Sequence, residues 1–159
     1  MTSRRQIDDF LAVRRLALVG LSRTGRKFGN AAYRELTAKG YEVFPVHPEA
    51  GSVGGVRCWP SLEALPPGVG GVVVAVPPEQ TLEVVRHAAA AGIPKVWMQQ
   101  GAESGAAVEA AEALGLDVVA GECVLMFAEP AGFVHRVHRW VRGVFGTLPA
   151  YPGDASGRA

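Results

Sequence analysis

Three times in this chain a helical pattern ends in glycine, then an apolar residue, then a strand-like run: Lys39-Gly40-Tyr41, Ala91-Gly92-Ile93 and Leu114-Gly115-Leu116. Glycine takes the left-handed position just past the last helical turn, and the apolar side chain that follows folds back onto that turn. The runs that follow are 41–46, 95–98 and 117–120. Apolar runs at 16–19 and 72–76 complete an alternation of strand with helix, the helices being predicted at 31–39, 81–91 and 106–114. Alternation of this kind demands a parallel sheet covered on both faces. The predicted fold is therefore α/β: a doubly wound, mainly parallel sheet with helices on both faces, in a single domain.

The remaining stretches fit around that frame. Thr2 or Ser3 can cap a short first helix that sets Ile7, Phe10, Leu11 and Arg14 on one face. Residues 47–55 carry turn chemistry, 56–59 read as a short edge strand, and 61–65 as one or two helical turns stopped by Pro66-Pro67. Phe133, Val137, Trp140, Val141 and Val144 form the apolar stripe of a last helix. Its opposite side carries His135, His138, Arg139 and Arg142 and reads as a solvated basic face. The domain is expected to span 1–148, with 149–159, rich in Pro, Gly, Ser and Ala, as a disordered tail.

Composition narrows the function. A chain of 159 residues suits one domain with a sizeable core. A formal net charge of +1 gives no global field for nucleic acid or an anionic membrane. No apolar run is long enough to cross a bilayer, and the first ten residues lack the apolar core of a signal peptide. Cys58 and Cys123 stand far apart, without metal or redox spacing, so reduced thiols and a cytoplasmic location are expected.

The chemistry is expected at the carboxyl ends of the strands. Strand 16–19 stops at Gly20 and enters a polar loop, Leu21-Ser22-Arg23-Thr24-Gly25-Arg26-Lys27, before Gly29-Asn30 and a helix. Strand, glycine turn and helix start have the shape of a phosphate site, because glycine allows close backbone approach and the helix start offers free N–H groups, but they equally suit the tight turn that any α/β domain needs after its first strand. Ser22 stands where G-x-G-x-x-G needs its second glycine, while Arg23, Arg26 and Lys27 add cations. The second strand ends in Pro45-Val46-His47-Pro48, without the acid that holds the ribose diol of NAD. Val76-Pro77-Pro78 offers either an apolar wall for a ligand or a helix start with proline in its first turn. No nucleophile elbow, HExxH, Walker lysine motif or carboxylate cluster is present, and Cys123 reads as a structural thiol.

Val19-Gly20-Leu21-Ser22, Lys27-Phe28-Gly29-Asn30, Gly40-Tyr41-x-Val43-x-Pro45-Val46-x-Pro48, Val76-Pro77-Pro78 and Val96-Trp97-Met98-Gln99-x-Gly101 occur in order. Together they resemble the small CoA-binding proteins, single Rossmann-like domains similar to the CoA-binding domain of succinyl-CoA synthetase α subunits. The resemblance covers roughly 10–129. It implies coenzyme A bound across the strand ends. Gly20, Ser22, Arg23 and Lys27 would face phosphates, with Asn30 at the adjoining helix start. Pro45, Val46, His47 and Pro48 would lie near the ribose, and Val76, Pro77 and Pro78 along the adenine or pantetheine path. Gln99 and Gly101 would close the far side. The Cys-Pro common in relatives near the final strand is here Cys123-Val124. The synthetases also need a phosphorylatable histidine and a nucleotide-grasp domain. This chain is therefore expected to bind CoA or acyl-CoA without turning it over, as carrier, sensor or regulatory module, with a protein partner or homo-oligomer possible. The alternatives are an NAD(P)-binding oxidoreductase or redox sensor, and the CoA-binding subunit of a split acyl-CoA synthetase.

Overall fold

The computed structural model describes residues 2–128. The predicted last helix and tail lie outside the described residues. In chain order the elements are α1 (Arg4–Leu11), β1 (Arg15–Val19), α2 (Phe28–Ala38), β2 (Glu42–Val46), β3 (Ser52–Val53), β4 (Val56–Arg57), β5 (Gly71–Val74), α3 (Pro78–Ala90), β6 (Lys95–Gln99), α4 (Gly105–Ala113), β7 (Asp117–Glu122) and α5 (Val124–Phe127).

Five strands pair in parallel in the order β2-β1-β5-β6-β7. Outside β2, Trp59 forms a single parallel bridge to Val46. Its N–H donates to the Pro45 carbonyl and its own carbonyl accepts from the His47 N–H, both at 2.9 Å. This one residue holds the place of the outer strand in the 3-2-1-4-5-6 order of doubly wound sheets. The chain leaves β1 toward one edge and returns to β5 on the other side, so the order reverses between β1 and β5.

Alternation along each strand sorts the core into two layers. Leu16, Leu18, Val73 and Trp97 face α1, α2 and α5, together with Ile7, Phe10 and Leu36. Ala17, Val72, Val74, Val96 and Met98 face α3 and α4, where Val85, Ala88, Ala107 and Ala111 are buried. Trp97 has no exposed surface. It meets Phe10 edge-on at 5.3 Å and donates from Nε1 to the Glu122 carbonyl at 2.8 Å.

The glycine cadence forms three times as expected from the sequence. Gly40, Gly92 and Gly115 have φ of 86°, 71° and 74°. Behind each, the next amide reaches back to close the helix: Tyr41 to the Leu36 carbonyl, Ile93 to Ala88, and Leu116 to Ala111. At the other end, Ser3 and Gln6 cap α1 reciprocally. The Thr2 hydroxyl then accepts from the Ala120 N–H and donates to the Ala120 carbonyl, and the Gln6 amide donates to the Val118 carbonyl. These side chains occupy the otherwise open edge of β7.

Several expectations need correction. Helix α2 begins at Phe28 rather than 31, and α3 at Pro78 rather than 81, because loop and diproline residues supply their first turns. Arg14 lies beyond α1 and stacks its guanidinium over the Tyr41 ring. Residues 61–65 form turns instead of a helix, since too few residues remain before Pro66 to close successive helical bonds. The edge strand expected at 56–59 is divided. Val56–Arg57 pairs antiparallel with β3, and only Trp59 joins the main sheet.

Candidate ligand site

The loop after β1 is held by close backbone contacts. A Cβ on Gly20, where φ is 131°, would stand 2.7 Å from the Ala75 carbonyl carbon. One on Gly29 would stand 2.7 Å from that of Gly20. Glycine here lets the end of β1, the end of β5 and the first turn of α2 touch. The directions a Cβ would take at both glycines are filled by the protein's own backbone. The loop is then locked by Asn30, which is buried: Oδ1 accepts from the Ser22 N–H at 3.1 Å and Nδ2 donates to the Ser22 carbonyl at 3.0 Å. Gly25, with φ of 70°, closes a turn onto the Ser22 carbonyl at 3.0 Å. Lys27 precedes α2 in extended conformation and makes no side-chain cap, so no side chain of that residue covers the first-turn amides.

This loop forms one wall of a crevice across the ends of β1 and β5, where a doubly wound sheet takes its ligands. The crevice has three parts. The middle, about 290 Å3, is lined by Gly20, Ser22, Arg23, Lys27, His47, Val76, Pro77 and Gln80. It runs along Lys27, Val76 and Pro77 into a part of about 380 Å3 bounded by Phe28, Gln99, Gln100, Gly101 and Ala102. On the opposite side, past Val19 and Val46, lies an apolar slot of about 350 Å3 between Pro48, Pro60, Leu62, Val84 and His87. Each part is of the size that small-molecule sites occupy.

Of the residues singled out from sequence, Gly20, Ser22, Arg23, Lys27, His47, Val76 and Pro77 converge on the middle. Val46 and Pro48 line the slot, and Gln99 and Gly101 the far part. Asn30, Pro45 and Pro78 line none of the three. Asn30 braces the loop, Pro45 is buried in β2 with its carbonyl on Trp59, and Pro78 starts α3. The Gln99 side chain is committed to the fold, since its Oε1 accepts the Val124 N–H at 3.1 Å. Val76 and Pro77 border the middle and far parts, away from the slot.

Sequence reasoning missed the slot. Leu62, Val84 and His87 come from a turn and from the middle of α3, and no motif marks them. It also passed over the role of Glu49. Its carboxylate meets the Arg23 guanidinium at 3.4 Å, and its N–H donates to His47 Nδ1 at 3.2 Å. The imidazole therefore keeps its proton on Nε2 when neutral.

Charge is distributed unevenly. Among the described residues, the Arg26, Lys27 and Arg34 side chains have no hydrogen bond, ion pair or ring contact, and all three flank this loop. Every other described lysine or arginine is paired, stacked or bonded. At the lip of the slot His87 sits between Glu63, at 2.6 Å from Nδ1, and Glu83, at 3.2 Å from Nε2. The hydrogen bond to Glu63 pushes the His87 pKa up and the Glu63 pKa down. Cys58 and Cys123 are buried free thiols, and burial raises the Cys58 pKa. Among the described residues no His, Cys, Asp and Glu group could hold a metal ion, and no helix is long and apolar enough to cross a membrane.

Sheet order, glycine-locked loop and switch-point crevice define a Rossmann-like α/β domain. Residues 14–129 match the family model described as the CoA binding domain, and the chain belongs to that family. An ADP-forming acetate–CoA ligase II of Archaeoglobus fulgidus is 31% identical over 89 residues, a match covering 55% of this chain and 13% of the ligase. A conserved hypothetical protein of Pyrococcus furiosus is 39% identical, with a TM-score of 0.66 over 70% of this chain and 96% of that one. A hypothetical protein of Pyrococcus horikoshii is 30% identical, with a TM-score of 0.75 over 82% and 92%.

Proposed function

We propose that this chain binds coenzyme A, or an acyl-CoA, in the crevice and presents it without chemical turnover, as a carrier, sensor or regulatory module. The observation that carries the reading is the order of environments along the crevice: apolar slot, cationic middle, mixed far part. Coenzyme A has the same order: a purine, then phosphates, then a pantetheine arm. The purine would lie between Pro48, Leu62 and Val84. The pyrophosphate would meet Ser22, Arg23 and Lys27 at the start of α2, where the unpaired Lys27 and the uncapped amides are worth most to an anion and Arg23 is held only by an exposed contact to Glu49. The arm would follow Val76 and Pro77 toward Phe28 and Gly101.

Two features support binding over catalysis. The Ser22 hydroxyl pairs with the Thr24 hydroxyl at 2.9 Å, and His47 Nδ1 accepts a backbone amide, so neither forms a nucleophile–base pair with the other. The NAD(P) reading fits less well. The acid nearest the end of β2 is Glu49, and its carboxylate is turned to Arg23. A cytoplasmic location agrees with the two free thiols. A partner that supplies the remaining synthetase domains is the split-enzyme alternative, and its co-purification would favour that reading.

The test is thermal unfolding with CoA, acetyl-CoA, NAD and NADP side by side. A ligand that binds only the native state raises Tm by mass action, with about 2.7 kcal/mol of stabilisation at a hundredfold excess over Kd. CoA and acetyl-CoA are expected to raise Tm. Stabilisation by NAD or NADP alone would replace this reading with the oxidoreductase one.

A further inference from the structure

Behind the loop, on the side away from the crevice, lies a separate cavity of about 160 Å3. Its floor is Leu21, Tyr33, Val53 and Val56, and its cations are Arg23 and Arg34. Leu21 and Val53 belong to the buried core, whereas Arg34 is exposed and has no partner. No acidic residue lines the cavity.

We propose that this cavity is a second ligand site, for a small organic carboxylate with a short hydrocarbon tail. Guanidinium groups read carboxylates through paired N–H donors. Arg23 already meets a carboxylate here, through a single contact from one guanidinium nitrogen to Glu49 at 3.4 Å. The carbon floor decides against a bare oxyanion. Inorganic phosphate would lose water against Leu21, Val53 and Val56 without regaining hydrogen bonds, whereas a short alkyl tail gains from the same burial. The site goes beyond the CoA reading and stands without it.

It is also placed to act on the loop. Arg23 borders both this cavity and the crevice, and Asn30, which brackets Ser22, lines the cavity as well. A carboxylate that holds Arg23 on the rear side removes a cation from the crevice side, so the two ligands oppose each other.

The experiment is titration of the full chain with butyrate, butyramide and inorganic phosphate at constant ionic strength, followed by backbone amide NMR shifts. Butyrate is expected to shift Tyr33, Val53 and Val56 saturably and to bind more tightly than the other two. Arg34→Ala is expected to weaken butyrate about tenfold. Glu49→Gln frees Arg23 and is expected to strengthen it. Equal affinity for butyramide, an unchanged Arg34→Ala affinity, or preference for phosphate overturns the proposal. A second arm measures CoA affinity with and without saturating butyrate. Wild type is expected to lose roughly fivefold, and at the butyrate concentration that half-saturates wild type Arg34→Ala is expected to lose less than wild type, because its cavity is then mostly empty while Arg34 itself does not line the crevice. Butyrate binding that leaves CoA affinity unchanged overturns the antagonism, and absence of CoA binding altogether counts against the CoA reading rather than the rear site.

Discussion

The crevice has two walls built by different means. The loop after β1 is fixed by backbone contacts that only glycine permits, at Gly20 and Gly29, and by the buried Asn30 bracket. The opposite wall, the turn near Leu62 facing α3, is tied by the exposed contact of Glu63 to His87, which also meets Glu83 on its own helix. Close backbone packing leaves the side chains of the first wall free. Arg26 and Lys27 therefore stand unpaired at its surface, while the second wall uses its charged groups on itself. From Arg14 to Arg34 the sequence contains no acid at all, whereas α3 and α4 carry Glu79, Glu83, Glu109 and Glu112. Among the described residues the unpaired cations thus gather around one loop. Rigidity there costs little charge, because the rigid elements are uncharged.

The contrast is broken most severely at Gly29. Gly29→Ala pushes a Cβ into the Gly20 carbonyl, backbone against backbone with no side chain to yield. A loss of about 3 kcal/mol is expected, lowering Tm by roughly 6–12 °C. Differential scanning calorimetry measures it. An unchanged Tm would mean that the loop is not locked as described.

Lys27→Ala addresses charge without packing. If the ammonium reaches a phosphate, CoA affinity falls about tenfold or more, while unliganded stability stays within about 0.5 kcal/mol. The salt dependence of binding becomes shallower, since one fewer pair is screened. Calorimetric titration at two salt concentrations reads both. Equal affinities at low salt would remove Lys27 from the site.

The smallest effect belongs to the second wall. The raised His87 pKa gives stability that is complete below the unfolded value near 6.5 and is lost as pH rises through the folded pKa. The lowered Glu63 pKa gives stability that is present above its unfolded value and is lost as pH falls through the folded one. The pair therefore contributes most between about pH 4.5 and 6.5. His87 and Glu63 side chains are 50% and 38% exposed, so solvent holds the gain below about 1 kcal/mol. Urea unfolding of wild type and His87→Ala across pH should show the difference in that window and little above pH 9. A constant difference at all pH values would assign the effect to packing.

Most of the architecture was legible because it is written in local rules. Gly40, Gly92 and Gly115 each announce a helix end through backbone geometry that other residues enter at a cost. The strand ends that follow then point to the crevice. The slot was not legible, because Leu62, Val84 and His87 meet only when the turn after Trp59 packs on α3. Nor did sequence separate ligand-facing positions from bracing ones. Asn30 and Ser22 sit eight residues apart in neighbouring motifs, yet one locks the loop from inside and the other lines the crevice.

The sequence by itself determined the alternation of strands and helices, the glycine turns and the cationic loop, since each depends on neighbours along the chain. Only the tertiary structure decided which backbone fills the space beside Gly20 and Gly29, that Glu49 holds Arg23, and that Arg23 borders two cavities. Those relations join residues brought together by sheet order and layer packing, and no spacing within a single element encodes them.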